Sequence, residues 1–367
     1  MSSRFGRRRA NLKRTRGGGR GFALLKARGR KSMKRPRSAA RLVLGATLLL
    51  SIAVLSRRVV ADGRQLPDAD AGAARGDFAD PFMLRAGDSF YAFATGRPGR
   101  HLQVARSRDL RGWSDLGDPL PRLPRWARDG GGLTWAPSIL VRGGAYVLYY
   151  TTRDAASGFQ CISRAVARQP AGPYVDRSSR AMICQTELCG SIDPSPFVDR
   201  DGAAYLLWKS DENSLACRTA PRIWSQRLAD DGRALVGRPR ALLERDRPWE
   251  GQIVEGPSMA LHDGRYYLFY SANWYASSEY AIGYATCEGP TGGCTKVSVG
   301  APFLASSGAT LGPGGQELFT GTDGALWMAY HAWTAPRTTY EQGGARSLRL
   351  ARIDFRDDGQ PLALAAR

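Results

Sequence analysis

The sequence predicts an all-β fold, a five-bladed β-propeller, from a repeated local grammar, its period and the absence of strong helical patterning. Five stretches share the grammar of a short strand, a Gly-containing turn and a strand rich in Tyr, Phe and Trp. They read "ADPFMLRAGDSFYAFAT", "WAPSILVRGGAYVLYYT", "IDPSPFVDRDGAAYLLWKS", "VEGPSMALHDGRYYLFYS" and a degenerate "GGQELFTGTDGALWMAYHA". With Pro81, Pro137, Pro196, Pro257 and Gln316 as markers, the steps are 56, 59, 61 and 59 residues. Strand signals recurring at that period indicate a radial β array.

The elements follow in chain order. Residues 1–41 hold 16 Lys or Arg and no acid, so 16 of the 20 net positive charges sit there. That Gly/Arg-rich tail has few large apolar residues and is expected to be disordered. Because the charge belongs to the tail, it does not mark the rest of the chain as a nucleic-acid binder. Next comes "LVLGATLLLSIAVLS", an uncharged run of 15 residues from Leu42 to Ser56. A spanning helix needs about 20 residues, so residues 42–58 read as a signal-peptide h-region or a membrane anchor. The preceding positive charge sends the C-terminal part outward. The expected location is therefore secreted, or anchored on the outer side of the cytoplasmic membrane, with membrane contact through 42–58. Residues 59–76 read as a polar linker.

From Asp77 to the C-terminus each unit supplies about four strand signals, one blade each. "HLQVARS", "CISRAVA", "IWSQRLA", "YAIGYAT" and "SLRLARIDF" fill positions between the inner strands. All six Cys lie beyond the apolar run, as in an exported, disulfide-forming domain. Without a CxxC or a His cluster, zinc and thiol redox chemistry are disfavoured. Cys287 and Cys294 are the expected pair across "CEGPTGGC"; the other pairings stay open.

The first strand of a propeller blade lines the central channel, so the residue just before it sits at the channel mouth. The residues at or just ahead of the markers are Asp80, Ala136, Asp193 and Glu255, three of them carboxylates. Taken singly, Asp80 and Asp193 could each be an Asp-Pro turn starter. Together with Glu255 at corresponding repeat positions, they suit glycosidic-bond cleavage, in which one acid protonates the leaving oxygen and one base activates water.

The motifs "DFADPFML", "TWAPSI", "SIDPSPFVDRDGAAYLLWKSD" and "IVEGPSM", in this order, resemble glycoside hydrolase family 43, a five-bladed family that includes arabinanases, arabinofuranosidases and xylosidases. The resemblance spans roughly Asp77 to the C-terminus. It implies Asp80 as general base, Asp193 as the residue that tunes and orients the acid, and Glu255 as general acid, with inversion of configuration. Asp77 ranks second as base because its place ahead of Phe78 departs from the motif. The implied substrate is an arabinose-containing polysaccharide or oligosaccharide, acted on by an α-L-arabinofuranosidase. An endo-arabinanase or β-xylosidase with the same triad, or a non-catalytic glycan-binding propeller, are the alternatives. A monomer is expected.

Trp135 and Trp274, with Tyr275, are candidates for stacking on sugar rings, whose C–H faces suit aromatic surfaces. Arg346 resembles the family's fifth-blade sugar-contacting arginine. His331, expected on the fifth inner strand, resembles a family His near the channel axis. Calcium beside it is an option, but no cofactor is required, since one His without an acidic cluster is a poor cation site. Where relatives often carry a His after "GPG", this chain has Gly315 and Gln316. Trp113, in "SRDLRGW", reads as blade packing without chemistry.

Overall fold

The computed structural model describes residues 76–214 and 217–365. The expected tail (1–41), apolar segment (42–58) and nearly all of the linker (59–76) lie outside the described residues. Among the described residues no helix is long and apolar enough to cross a membrane.

Five antiparallel sheets follow one another along the chain, each from one continuous stretch. Blade 1 comprises β1 (Phe82–Ala86), β2 (Ser89–Arg97), β3 (Arg100–Ser107) and β4 (Ser114–Gly117). Blade 2 comprises β5 (Thr134–Arg142), β6 (Ala145–Arg153) and β7 (Gln160–Ala167). Blade 3 comprises β8 (Ser191–Val198), β9 (Ala204–Ser210), β10 (Arg222–Leu228) and β11 (Leu235–Glu244). Blade 4 comprises β12 (Val254–His262), β13 (Arg265–Ala272), β14 (Ala281–Gly289) and β15 (Gly292–Lys296), and blade 5 β16 (Thr310–Thr320), β17 (Leu326–Thr334), β18 (Arg346–Phe355) and β19 (Pro361–Ala365).

The second strand of each blade is covered on both faces by neighbouring blades, which explains its unbroken apolar character. In β6, Val147, Leu148, Tyr149 and Tyr150 are all fully buried. The turns before these strands are short and use left-handed residues. Gly143 and Gly144 (φ 56° and 71°) and Asp263 and Gly264 (φ 46° and 77°) give two positive φ angles in a row, as a two-residue hairpin that matches strand twist requires.

Apolar clusters lie between blades rather than within them. Phe93 and Leu102 of blade 1 pack with Leu148 and Tyr150 of blade 2. Val147 and Tyr149 meet Leu206 and Trp208 of blade 3, and Leu207 meets Leu268 and Tyr270 of blade 4. Tyr267 and Phe269 meet Met328 and Tyr330 of blade 5. The ring closes where Phe319 and Leu350 of blade 5 pack on Phe78 and Phe90, with Trp113 against the same cluster. Closure also uses main chain, Phe78 N–H donating to Arg346 C=O at 2.8 Å.

Blade 2 departs from the expected four strands. The segment after β7, with Pro170 and Pro173, cannot run as a regular edge strand. It touches β7 instead through single bridges, Val166 to Val175 and Ile162 to Ile183. The disulfide Cys161–Cys184 staples it in place. Cys189–Cys217 is the second disulfide, and the expected Cys287–Cys294 joins β14 to β15. Closing loops of 23 and 28 residues stabilises a fold by about 3 kcal/mol each in the chain-entropy picture.

Candidate active site

Four of the five inner strands carry a β-bulge at the channel mouth, β1 being the exception. Pairing skips between Trp135 and Ser138, Ile192 and Ser195, and Glu255 and Ser258. In blade 5 it skips twice, on either side of Gly314. The residue opening the skip is left-handed: Ala136 at φ 44°, Asp193 at 58°, Gly256 at 55° and Gly315 at 58°, with Asp80 at 51° ahead of β1. Asp tolerates this region better than most residues, and the proline that follows keeps the bulge from zipping into the ladder. The marker of the third repeat is thus Pro194, where the sequence spacing takes Pro196. Glu255 stands one residue before its bulge, the position Trp135 holds in blade 2, so the three carboxylates are not strictly equivalent.

A cavity of about 770 Å³ opens at this mouth, lined by Asp80, Asp193 and Glu255 together with Trp135, Trp274 and Arg346. Tyr275 and Asp77 line it too, so every residue expected from the sequence to be catalytic or sugar-binding meets there. Trp135 is half-buried, its indole N–H donating to Gly132 C=O at 2.7 Å. Trp274 is 52% exposed beside Tyr275, leaving a ring face open to a ligand.

Asp80 is held by three side chains through four contacts. Thr95 Oγ1 donates to Oδ2 at 2.5 Å. The Arg346 guanidinium reaches Oδ1 at 3.4 Å, and His331 Nδ1 lies 3.4 Å from the same oxygen. His331 Nδ1 also accepts the Asp80 backbone N–H at 3.0 Å. Burial works to raise the Asp80 pKa, but the Arg346 charge foremost, helped by the Thr95 hydrogen bond, outweighs it and holds the carboxyl below its usual range. An ionised carboxylate facing a cavity can take a proton from water.

His331 is fully buried. Burial and the Arg346 charge push it down to about 3 against the pull of Asp80, so the ring is neutral and its contact with Asp80 is not an ion pair. Because Nδ1 accepts a hydrogen bond, the neutral ring carries its proton on Nε2, a buried atom with no hydrogen-bond partner among the described residues. Among the described residues no group of three or more His, Cys, Asp or Glu could hold a metal ion.

Arg346 is itself fixed. Its Nε donates to Tyr340 Oη at 2.9 Å and its backbone N–H to Asp77 Oδ1 at 2.9 Å, while the guanidinium lies over the Tyr275 ring, 4.8 Å from the centroid. Asp77 Oδ2 accepts from Tyr340 Oη at 3.2 Å, so this second-ranked base is engaged in holding Arg346 and Tyr340.

On the opposite side, Asp193 Oδ2 accepts the Gly256 N–H at 3.0 Å, next to Glu255. Burial and the Glu255 charge push Asp193 up to about 8, Lys209 opposing them and Asp80 adding to them. A carboxyl raised that far by burial and a neighbouring charge keeps its proton at neutral pH. Glu255 Oε1 accepts from Tyr280 Oη at 2.8 Å and Oε2 from Lys209 Nζ at 3.1 Å. Thr95, Lys209, Tyr280 and Glu317 are site residues that sequence reasoning missed. The signal that could have found Lys209 is a lysine inside the apolar run "YLLWKS". Glu317 lies in the channel, accepting from Ser195 and Ser258, and burial pushes it up to about 8 against those bonds.

Residues 73–361 match Glycosyl hydrolases family 43. A putative β-xylosidase of Xylanibacter ruminicola is 28% identical over 215 residues, 57% of this chain and 37% of that protein, so the chain spans about a third of that relative. An extracellular endo-α-(1→5)-L-arabinanase of Bacillus subtilis (strain 168) is 28% identical over 261 residues, 66% of this chain and 77% of that protein. The crystal structure of a thermostable family-43 glycoside hydrolase superposes with a TM-score of 0.70 at 26% identity, covering 82% of this chain and 96% of the other.

Proposed function

The chain belongs to Glycosyl hydrolases family 43, and we propose that it is an inverting exo-acting α-L-arabinofuranosidase that releases terminal arabinose from arabinose-containing polysaccharide or oligosaccharide. The observation that carries the reading is a carboxylate on one side of the cavity, held ionised by Arg346, facing Asp193, which is pushed up to about 8 beside Glu255 on the other. That division of charge is what a base and an acid need.

In the proposed reaction Asp80 takes a proton from a water that attacks the anomeric carbon. The glycosidic C–O bond breaks, and the departing oxygen takes the proton that Glu255 delivers from the pair. Asp193 keeps that proton in the site up to neutral pH and, through the Gly256 N–H, fixes where the pair sits. No step uses a metal. Exo action is supported by the stacked Tyr275, Arg346 and Tyr340 group beside Asp80, which walls the cavity. Trp135 and Trp274 are assigned to sugar stacking and Arg346 to the sugar and Asp80 together.

Three disulfides suit an oxidising compartment. They support the proposal that the protein works as a monomer outside the cytoplasm, delivered or held there by residues 42–58. The full chain incubated with an aryl α-L-arabinofuranoside, an aryl β-D-xyloside and debranched arabinan tests the substrate. Turnover of the first far above the other two is expected. Preference for the xyloside makes it a β-xylosidase, and rapid mid-chain cleavage of arabinan makes it an endo-arabinanase, the activity named for its Bacillus relative. Binding without turnover of any makes it a glycan-binding propeller.

A further inference from the structure

The second strands of the five blades place one residue each at the same register, opposite the residue that precedes the bulge. These are Thr95, Thr151, Lys209, Ser271 and His331. In four blades that side chain accepts the N–H of the next blade's left-handed residue. Ala136 N–H donates to Thr95 Oγ1 at 3.0 Å, Asp193 N–H to Thr151 Oγ1 at 3.1 Å, Gly315 N–H to Ser271 Oγ at 2.8 Å and Asp80 N–H to His331 Nδ1 at 3.0 Å. The ring stitches blade to blade around the mouth.

The third blade breaks the pattern. Lys209 is 1% exposed, and an ammonium has no lone pair with which to accept. The Gly256 N–H turns to Asp193 Oδ2 instead, at 3.0 Å. Lys209 Nζ donates to Glu255 Oε2 at 3.1 Å and to Asp211 Oδ1 at 3.3 Å. Burying an ammonium is costly, and the other blades show that a small neutral acceptor meets the structural need. The exception lies where two catalytic carboxyls stand side by side.

We propose that Lys209 is the positioning residue of the Asp193–Glu255 pair: by accepting nothing it assigns the Gly256 N–H to Asp193, and by donating to Oε2 it aims Glu255 into the cavity. The inference rests on the proposed glycosidase reading, with Glu255 as acid. The groups facing the pair are Lys209 and Asp211 from blade 3, Tyr280 from the loop before β14, Asp80 from blade 1 and Glu317 deeper in the channel. Lys209 keeps its proton, because Glu255, Asp211 and Asp193 outweigh the burial that opposes it. Its charge counters the burial and mutual repulsion that hold a proton in the pair, so losing it lets the pair stay protonated to higher pH.

The test compares full-length Lys209→Met, Lys209→Thr, Lys209→Arg and Glu255→Gln on an activated aryl arabinofuranoside and a poor-leaving-group alkyl arabinofuranoside. Lys209→Met should lower kcat about 100-fold with KM within threefold, a misplacement effect. Its alkaline limb should move to higher pH while the acid limb, set by Asp80, stays. Lys209→Thr restores the ring acceptor of the other blades, so it should fold as well as the parent and carry the same kinetic defect. Lys209→Arg, which keeps the charge, should recover at least tenfold of the loss. Lys209→Thr with parental kcat and an unmoved alkaline limb overturns the inference, as does a defect confined to Tm. Glu255→Gln reports separately on the underlying reading. Loss confined to the poor leaving group supports it, and equal loss on both substrates overturns it and the inference together.

Discussion

Gly315→Ala puts one methyl group against the base. Gly315 sits at φ +58°, and an added Cβ would lie 2.6 Å from His331 Cε1 and Nδ1 and 2.8 Å from Asp80 Oδ1. Ordinary contact begins at 3.4 Å, so about 0.8 Å must be found. The His331 ring is fully buried and stacked on Tyr280. Little room exists for the ring to retreat, and the Asp80 carboxylate has to move. A misplacement on the order of 1 Å costs about 100-fold in rate, and a left-handed alanine costs about 1–2 kcal/mol in stability. Initial rates on an aryl arabinofuranoside should fall about 100-fold in kcat/KM, and thermal melting should drop by roughly 2–3 °C. Gly324→Ala is the control. It has φ +77° with nothing within 4 Å, so it should lose similar stability and keep parental kinetics. Gly315→Ala kinetics within threefold of the parent would refute the placement of Asp80 as base.

Further expectations concern pH. Arg346→Met removes the largest influence lowering the Asp80 pKa. Because the base must be ionised, the acid limb of kcat/KM should move to higher pH; an unmoved limb would mean that Arg346 serves the sugar alone. Asp193→Asn takes away the group held up to about 8 and the repulsion that keeps a proton in the pair. The alkaline limb should therefore fall to lower pH with the fold intact, and a near-normal rate with an unchanged limb would reduce Asp193 to a turn residue. Burial raises Glu317 to about 8 from an ordinary 4.5, so it contributes stability below about pH 4.5 that is lost as pH rises through 8. Glu317→Gln, keeping both serine contacts, should flatten the decline in unfolding free energy across that window by up to about 5 kcal/mol. Denaturant unfolding at several pH values reads this, and an unchanged slope contradicts it.

Much of the architecture was legible because it is periodic. Buried second strands must be apolar on both faces, and hairpins need left-handed turn residues, so the repeats show in composition alone. The fourth position of blade 2 was not legible. There an irregular proline-containing segment is held by a disulfide, which strand patterning does not encode. At the site, Asp80 and Asp193 stood out through the prolines that follow them, but the left-handed bulge that aims them depends on register with the second strand. Register also hid the one-residue offset of Glu255. Thr95 and Tyr280 act through contacts inside their own blades, 15 and 25 residues along the chain from the carboxylates they bond. Their types are ordinary for these positions. His331 was found by resemblance, but the bond it accepts from the Asp80 N–H forms only where blade 5 meets blade 1, which the sequence does not encode.

The stereochemistry of the first product tests the central claim most directly. Proton NMR of the full chain acting on an α-L-arabinofuranoside, recorded before mutarotation, should show β-L-arabinofuranose as the anomer formed first, because water activated by Asp80 attacks opposite the departing oxygen. First formation of the α anomer would mean that a carboxylate attacks the sugar itself. It would contradict the division of the site into a base at Asp80 and an acid at Glu255.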